Sequence, residues 1–324
     1  MTKTALITGI TGQDGAYLSK LLLDKNYQVI GLVRPDVEES LYGLGYLKIL
    51  DRVVLRKCNL LDKTNIISIL AEYKPVEIYN LAAQSSVGVS FEKPWDTINF
   101  NILSVLNILE AIKKVDKKIK FYQASSSDMF GNIDVLPVTE RSIIHPSSPY
   151  GISKASAHWI AVNYRESYNL FICSGILFNH ESYLRTPNFF VKKVILNGLE
   201  IKNGLRDAIH VGDIDLKRDF GYAPDYVQAM WLMLQQEVPK NYTICSGSSV
   251  SLKDILYYVF DKLEISKDKI IIDHNLFRPN DIHNIYGDNL KAKNELGWKY
   301  NKSFFEVLDL LLEEEHKYQS KTII

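Results

Sequence analysis

An α/β fold built on a parallel sheet with helices on both faces is predicted by three features of the 324-residue chain. Short apolar runs alternate with amphipathic stretches over its first half. A glycine-punctuated turn joins the first apolar run to the first amphipathic stretch, and no internal repeat or low-complexity tract competes with the pattern. Thr4-Ala5-Leu6-Ile7-Thr8 reads as the opening strand, and Ala16 to Leu23 has the apolar spacing of a helix. Tyr27 to Val33 and Val53 to Arg56 follow as strands, Ile66 to Glu72 as a helix, and Glu77 to Leu81 as a buried strand. A helix over Ile98 to Lys113, a strand over Lys120 to Ala124, a serine-rich turn and a long helix from about Tyr150 to Tyr168 continue the alternation. Beyond Phe178 glycines and prolines break up shorter elements, yet Ser174 to Phe178 and Asn241 to Cys245 still read as strands able to return to the main sheet. The prediction is a Rossmann-type doubly wound parallel sheet over 1–178, with a smaller, interleaved α/β substrate lobe over 179–324.

Composition excludes several functions. The 46% apolar and 23% charged residues suffice for a large core, so disorder is not expected. Lys plus Arg equals Asp plus Glu at 38 each, which argues against a nucleic-acid binder or a broadly cationic membrane-surface protein. Any phosphate site must therefore be local. Cys58, Cys173 and Cys245 are odd in number and lack C-x-x-C spacing, so neither a disulfide framework nor a metal site is expected. No apolar run approaches the ~20 residues of a membrane span, and the chain enters a strand pattern at once without a basic leader. A cytoplasmic location is the expectation.

Gly9-Ile10-Thr11-Gly12-Gln13-Asp14-Gly15 spaces its glycines three and three, between the first strand and the first helix. At such a turn a side chain would block the approach of a pyrophosphate, and the helix beyond offers unpaired N–H groups to the phosphates. A nicotinamide dinucleotide is the expected ligand. The second strand ends at Arg34 rather than at an acidic residue that would take both ribose hydroxyls, and a cation suits a 2′-phosphate. NADP is favoured on that ground, with NAD as the alternative because Asp36 lies close by. Asn80-Leu81-Ala82-Ala83 supplies small residues where a backbone must lie flat against a cofactor.

Tyr150 and Lys154 fall at i and i+4 on the helix that begins after Pro149, so both project from one face. A lysine ammonium close to a phenol, with an oxidised nicotinamide adding positive charge, favours phenolate and should lower the tyrosine pKa from its usual ~10. Upstream, Ala124-Ser125-Ser126-Ser127-Asp128 closes the fifth strand of the predicted sheet, at the carboxyl end where ligands meet such sheets. Three hydroxyls and a carboxylate thus join the pair.

With these motifs in order, the sequence resembles the extended short-chain dehydrogenase/reductase family and, within it, the GDP-mannose 4,6-dehydratases. The resemblance runs nearly end to end. It is carried by Thr8 to Gly15, Asn80 to Ser85, Phe121 to Ser125, Asn163 to Tyr168, Phe178-Asn179-His180-Glu181-Ser182 and Phe277-Arg278-Pro279. It implies oxidation of a GDP-linked hexose at C4, elimination of water across C5 and C6, and return of the hydride to C6, with the cofactor regenerated each turnover. Tyr150 would be the C4 base, Ser126 would hydrogen-bond the C4 oxygen, Asp128 would abstract the C5 proton and assist departure of the C6 hydroxyl, and Lys154 would reach the nicotinamide ribose. The cofactor would lie along Gly9, Thr11, Gly12, Gln13, Asp14, Gly15, Arg34, Asn59, Leu60, Leu81, Ala82, Ala83, Leu177, His180 and Arg185. Asn179 would serve both ligands, and Ser85, Lys193, Arg218 and Arg278 would hold the substrate. A homodimer or homotetramer is the implied assembly. A nucleotide-sugar 4-epimerase or reductase shares the turn and the Tyr/Lys pair but needs no C5 base, so Asp128 is the discriminating residue.

The sequence departs from the family at defined points. Ser126 and Asp128 replace a threonine and a glutamate, Ser86 a histidine and Asn59 an aspartate, and after Ser182 only Arg185 survives of an arginine- and glycine-containing loop. Asp128 retracts its carboxylate by about 1.5 Å, one bond length. A trimmed pocket suggests a bulkier GDP-sugar, with GDP-N-acetylglucosamine and a GDP-heptose as candidates beside GDP-mannose.

Overall fold

The computed structural model describes residues 2–35, 38 and 40–322, without the side chains of 319–322. In chain order β1 (Thr4–Thr8), α1 (Gln13–Asp24), β2 (Gln28–Val33), α2 (Tyr42–Tyr46), β3 (Val54–Lys57), α3 (Lys63–Tyr73) and β4 (Glu77–Asn80) form the first half of a sheet and its helices. They are followed by α4 (Val87–Glu92), α5 (Pro94–Val115), β5 (Lys120–Ser126), α6 (Pro149–Tyr168) and β6 (Ile172–Leu177). β7 (Asn179–Glu181), α7 (Phe190–Lys202), β8 (Ile209–Val211), β9 (Lys217–Tyr222), α8 (Ala223–Leu234), β10 (Asn241–Ile244), β11 (Ser249–Ser251) and α9 (Leu252–Leu263) come next. The chain closes with β12 (Ile270–Ile272), β13 (Asn284–Ile285), α10 (Leu290–Leu296) and α11 (Phe304–Thr322).

Seven strands in the order β10-β6-β5-β4-β1-β2-β3 make one sheet, every pair parallel. Such a sheet must be covered on both faces, and alternate side chains divide accordingly. Tyr79 and Tyr122 point into the core under α1 and α8, with Leu18, Leu22, Met230 and Met233. Ile78 and Phe121, one residue before each, point into the opposite core with Ile69, Leu70, Ile108 and Ile112 from α3 and α5. Each of these aliphatic residues holds its place by burial; truncating one to alanine would cost about 2–5 kcal/mol. Local signals set the helix ends. Asp62 accepts the backbone N–H groups of Thr64 and Asn65 at the start of α3, and Asn169 ends α6 in the left-handed region at φ 54°.

The chain runs outward from β1 through β2 and β3, then crosses back to β4 on the other side of β1. This reversal opens a crevice at the carboxyl ends of β1 and β4. β10 belongs to the main sheet although it lies far beyond Phe178, whereas β7, β9, β11 and β13 form a small separate sheet. A third core, of α7, α9 and α11 with Phe220 from β9, packs beside that small sheet. Among the described residues no helix is long and apolar enough to cross a membrane.

Candidate active site

The glycine turn separates into two kinds of glycine. Gly9 sits at φ +68°, and a Cβ there would lie 2.9 Å from the Ala82 nitrogen; one on Gly15 would lie 2.3 Å from the Gly9 carbonyl oxygen. Folding alone demands those two. A Cβ on Gly12 would meet only the Gly9 oxygen, at 3.4 Å, an ordinary contact. The bare backbone at Gly12 is therefore required by nothing in the protein, and it opens onto the first turn of α1, where no side chain caps the N–H groups. Beside it, the Thr8 hydroxyl accepts from Leu81 and Ala82 backbone N–H at 3.1 and 3.0 Å and donates to Asn80 at 2.7 Å, which fixes the strand end.

A cleft of about 670 Å³ runs over this turn. Gly9, Thr11, Gly12, Gln13, Asp14, Gly15, Arg34, Leu81, Ala82, Ala83, Leu177, Asn179, His180 and Arg185 line it with Tyr150 and Lys154, as do Ser85, Ser126, Asp128, Arg218 and Arg278. Two of the cofactor candidates lie elsewhere. Asn59 is exposed and accepts the Leu61 N–H at 3.0 Å, while Leu60 is buried in the core of α3 and α5. Asp36 falls outside the described residues.

Ser148 starts α6: its hydroxyl accepts the Gly151 N–H at 3.0 Å, and Pro149 occupies the first turn. That start turns Tyr150 and Lys154 toward the cleft. Lys154 Nζ donates to the Ala124 carbonyl at 2.9 Å and stands 5.8 Å from the Tyr150 ring centre. Burial pushes the Lys154 pKa down to about 8, against the pull of the Asp14 and Asp128 carboxylates. Tyr150 departs from the expectation of a lowered pKa. Burial, with the Asp128 carboxylate, pushes its phenol above the usual range, and Ser126 and Arg185 only partly offset this. Desolvation leads this shift, and a cation bound in the cleft beside the phenol would act against it and favour the phenolate.

Asp128 follows β5 in a single turn of 3₁₀ helix, Ser127–Met129. The Ser126 hydroxyl accepts from the Asp128 N–H and donates to its carboxylate, both at 3.2 Å. Burial raises the Asp128 pKa, while Arg218, Arg278 and the serine hydrogen bond work the other way. A carboxyl held so can exist in either protonation state, as a general acid–base must.

Sequence reasoning missed the braces behind this constellation. Asn101 on α5 donates to Ser153 Oγ at 2.9 Å, and Ser153 donates to the Tyr150 carbonyl at 2.7 Å. Ser125 lies 2.8 Å from His158 Nδ1, and burial pushes the His158 pKa down to about 4, leaving a neutral ring. A polar asparagine on the buried face of a helix was the available signal.

A second cleft of about 430 Å³ adjoins the first and shares Asn179, Arg185, Phe189, Phe190, Arg218 and Arg278 with it. Arg218 reaches in from β9 and is held by Asp281 at 2.8 Å, with Arg278 3.4 Å from the same carboxylate oxygen. Two guanidinium groups thus flank the passage between the clefts. Lys193 lines neither cleft; its ammonium donates to the His210 carbonyl at 2.7 Å. Among the described residues no group of three His, Cys, Asp or Glu side chains could hold a metal ion.

Comparison with known proteins agrees with this geometry. A solved UDP-glucose 4-epimerase from Thermotoga maritima, with UDP-glucose, matches at a TM-score of 0.87 and 25% identity, covering 98% of this chain and 99% of that one. A dTDP-glucose 4,6-dehydratase from Bacillus anthracis in complex with NAD shares the fold, with a TM-score of 0.86 at 21% identity over 98% of each chain. In sequence, GDP-mannose 4,6 dehydratase 1 of Arabidopsis thaliana is 43% identical over 324 residues, 97% of this chain and 90% of that protein. Residues 6–311 match the family model described as GDP-mannose 4,6 dehydratase. The chain belongs to the GDP-mannose 4,6-dehydratase family.

Proposed function

We propose that the chain is a GDP-sugar 4,6-dehydratase acting on GDP-mannose, and the observation that carries this reading is Asp128. A phenol, an ammonium and a carboxyl in one cleft, over a turn suited to a diphosphate, are what an oxidation followed by an elimination requires. A nicotinamide dinucleotide bound at the turn supplies the chemistry that takes hydride from C4 and returns it to C6. Tyr150 takes the C4 hydroxyl proton and Ser126 hydrogen-bonds the C4 oxygen. Once C4 is a carbonyl the C5 hydrogen is acidic, Asp128 moves that proton to the C6 hydroxyl, which departs as water, and the proton that Tyr150 took is returned to C5 as C6 is reduced. Arg218 and Arg278 pair with the diphosphate, and Asn179, on the wall of both clefts, orients the substrate between them.

NADP is the dinucleotide of choice on this reading, because Arg34 lines the cleft at the end of β2 where a 2′-phosphate would lie. A homo-oligomer is supported by the apolar residues that α5 and α6 leave exposed, among them Trp95, Leu103 and Trp159. The epimerase alternative leaves Asp128 without a task. Incubation with GDP-mannose, GDP-N-acetylglucosamine, a GDP-heptose and UDP-sugars, without added reductant, separates the two by mass. Loss of one water from GDP-mannose supports the proposal. Loss only from a bulkier GDP-sugar would move the substrate to the pocket trimmed at Ser86 and Ser126, and isomerisation without loss would replace a dehydratase by an epimerase.

A further inference from the structure

Within the first turn of α1, the turn proposed to take the dinucleotide diphosphate, Asp14 places a carboxylate. An anion beside a bound diphosphate should repel it. His180, 166 residues away on β7, meets this carboxylate with Nε2 at 2.9 and 3.0 Å from its two oxygens. The other ring nitrogen, Nδ1, lies 2.7 Å from the Phe178 carbonyl oxygen. The Phe178 carbonyl can only accept, and Asp14, held as a carboxylate, can only accept too, so with Asp14 ionised both nitrogens carry protons and the ring is an imidazolium. Tyr226 stacks on it with ring centres 4.7 Å apart, which fixes its plane. Gln13 completes the seam, donating to the His180 carbonyl at 3.1 Å and accepting from Ser182 at 2.8 Å.

We propose that His180 is a charge-neutralising residue of the dinucleotide site: a fixed imidazolium that cancels Asp14, so that a helix N-terminus bearing a carboxylate can accept a diphosphate. The inference rests on the dinucleotide reading above. Burial opposes the charged ring, but the Asp14 carboxylate and the Phe178 carbonyl hold its pKa above that of a free imidazole. Burial opposes the Asp14 charge likewise, and His180 with Arg185 holds that carboxyl below its ordinary range. The other groups bearing on the pair are Glu181 on β7, Tyr226 on α8, and Tyr122, Tyr150 and Lys154, which face Asp14 from β5 and α6. The cations bearing on the pair are thus Arg185 and Lys154, and Lys154 is committed to the Ala124 carbonyl.

The test is a double-mutant cycle read by titrating NADPH and NADH into the full chain and following nicotinamide fluorescence. His180→Gln leaves Asp14 uncompensated and should weaken dinucleotide binding at least tenfold. Asp14→Asn removes the carboxylate that the ring cancels, and burial then returns His180 to its neutral form, so this variant should bind dinucleotide no more weakly than wild type. The double variant Asp14→Asn/His180→Gln should regain most of the affinity that His180→Gln loses, which a merely structural role would not produce. Wild-type affinity in His180→Gln, or a double variant as weak as His180→Gln, overturns the proposal. Should His180→Gln fail to fold, Asp14→Asn decides alone, since weakened binding there overturns it as well. Wild-type protein that binds neither dinucleotide would instead overturn the reading on which the inference stands.

Discussion

Replacing Asp128 by asparagine keeps the shape of the side chain and removes its proton chemistry. Among the described residues three aspartates line the main cleft, Asp14, Asp96 and Asp128. Asp14 is committed to His180, and Asp96 is exposed at the start of α5, so neither can take over beside Ser126. The loss therefore has no substitute, and the full general acid–base contribution, roughly 10²–10⁴ in rate or about 3–5 kcal/mol of barrier, should disappear from the elimination step. Oxidation at C4 needs only Tyr150, Lys154 and the cofactor. In the variant, substrate should then drive reduced nicotinamide to accumulate while the product that has lost water appears at least a hundredfold more slowly, read by absorbance and by mass. Folding must be checked separately. Burial raises the Asp128 pKa in the folded state, so the folded chain holds this proton more tightly than the unfolded one and loses stability as pH rises through that window. Asparagine removes that loss, and the variant should melt no lower than wild type at neutral pH. Unimpaired loss of water in a well-folded Asp128→Asn protein would refute the role given to this carboxyl.

Other outcomes follow from the same geometry. Gly12→Ala should fold normally and bind dinucleotide poorly, whereas Gly15→Ala, with its 2.3 Å clash against backbone, should cost about 1–3 kcal/mol in a denaturation curve. Tyr150→Phe should abolish turnover while leaving substrate affinity within a fewfold of wild type, measured by calorimetry. Arg218→Met removes a charged partner of the diphosphate and should raise KM about 10- to 100-fold, from about 1.5–3 kcal/mol for a hydrogen bond to a charged group. His158 is buried neutral with its pKa pushed from 6.5 down to about 4, so its stabilising effect is complete above pH 6.5 and lost as pH falls toward 4. That loss amounts to on the order of 3 kcal/mol and should vanish from the pH dependence of melting in His158→Gln.

The βα units, the glycine turn and the Tyr150/Lys154 face were legible because each is written in local spacing. Apolar period, a helix start at Pro149 and the i, i+4 relation survive without knowledge of the rest of the chain. Properties that depend on distant partners were not. Nothing near Tyr150 in sequence announces that burial would raise its phenol, because the residues that share its cleft come from β5, the segment after β7 and β9. Lys193 matched a substrate position by order along the chain, yet its reach ends on the carbonyl of His210, a residue set by the pairing of β8 with β12. Asn59 and Leu60 fall at the end of β3, where one residue turns to solvent and the next into the core. The pairing of Asp14 with His180 was invisible for the same reason, although both residues stood among the cofactor candidates.

The central claim is that hydride leaves C4 and returns to C6 of one sugar while water is lost. GDP-mannose carrying deuterium at C4, incubated with the protein and analysed by mass spectrometry and proton resonance, tests it directly. The account predicts a product lighter by one water with the deuterium in its C6 methyl group and no net consumption of dinucleotide. Deuterium retained at C4 of an isomerised sugar, or a dehydrated product without deuterium at C6, would contradict it.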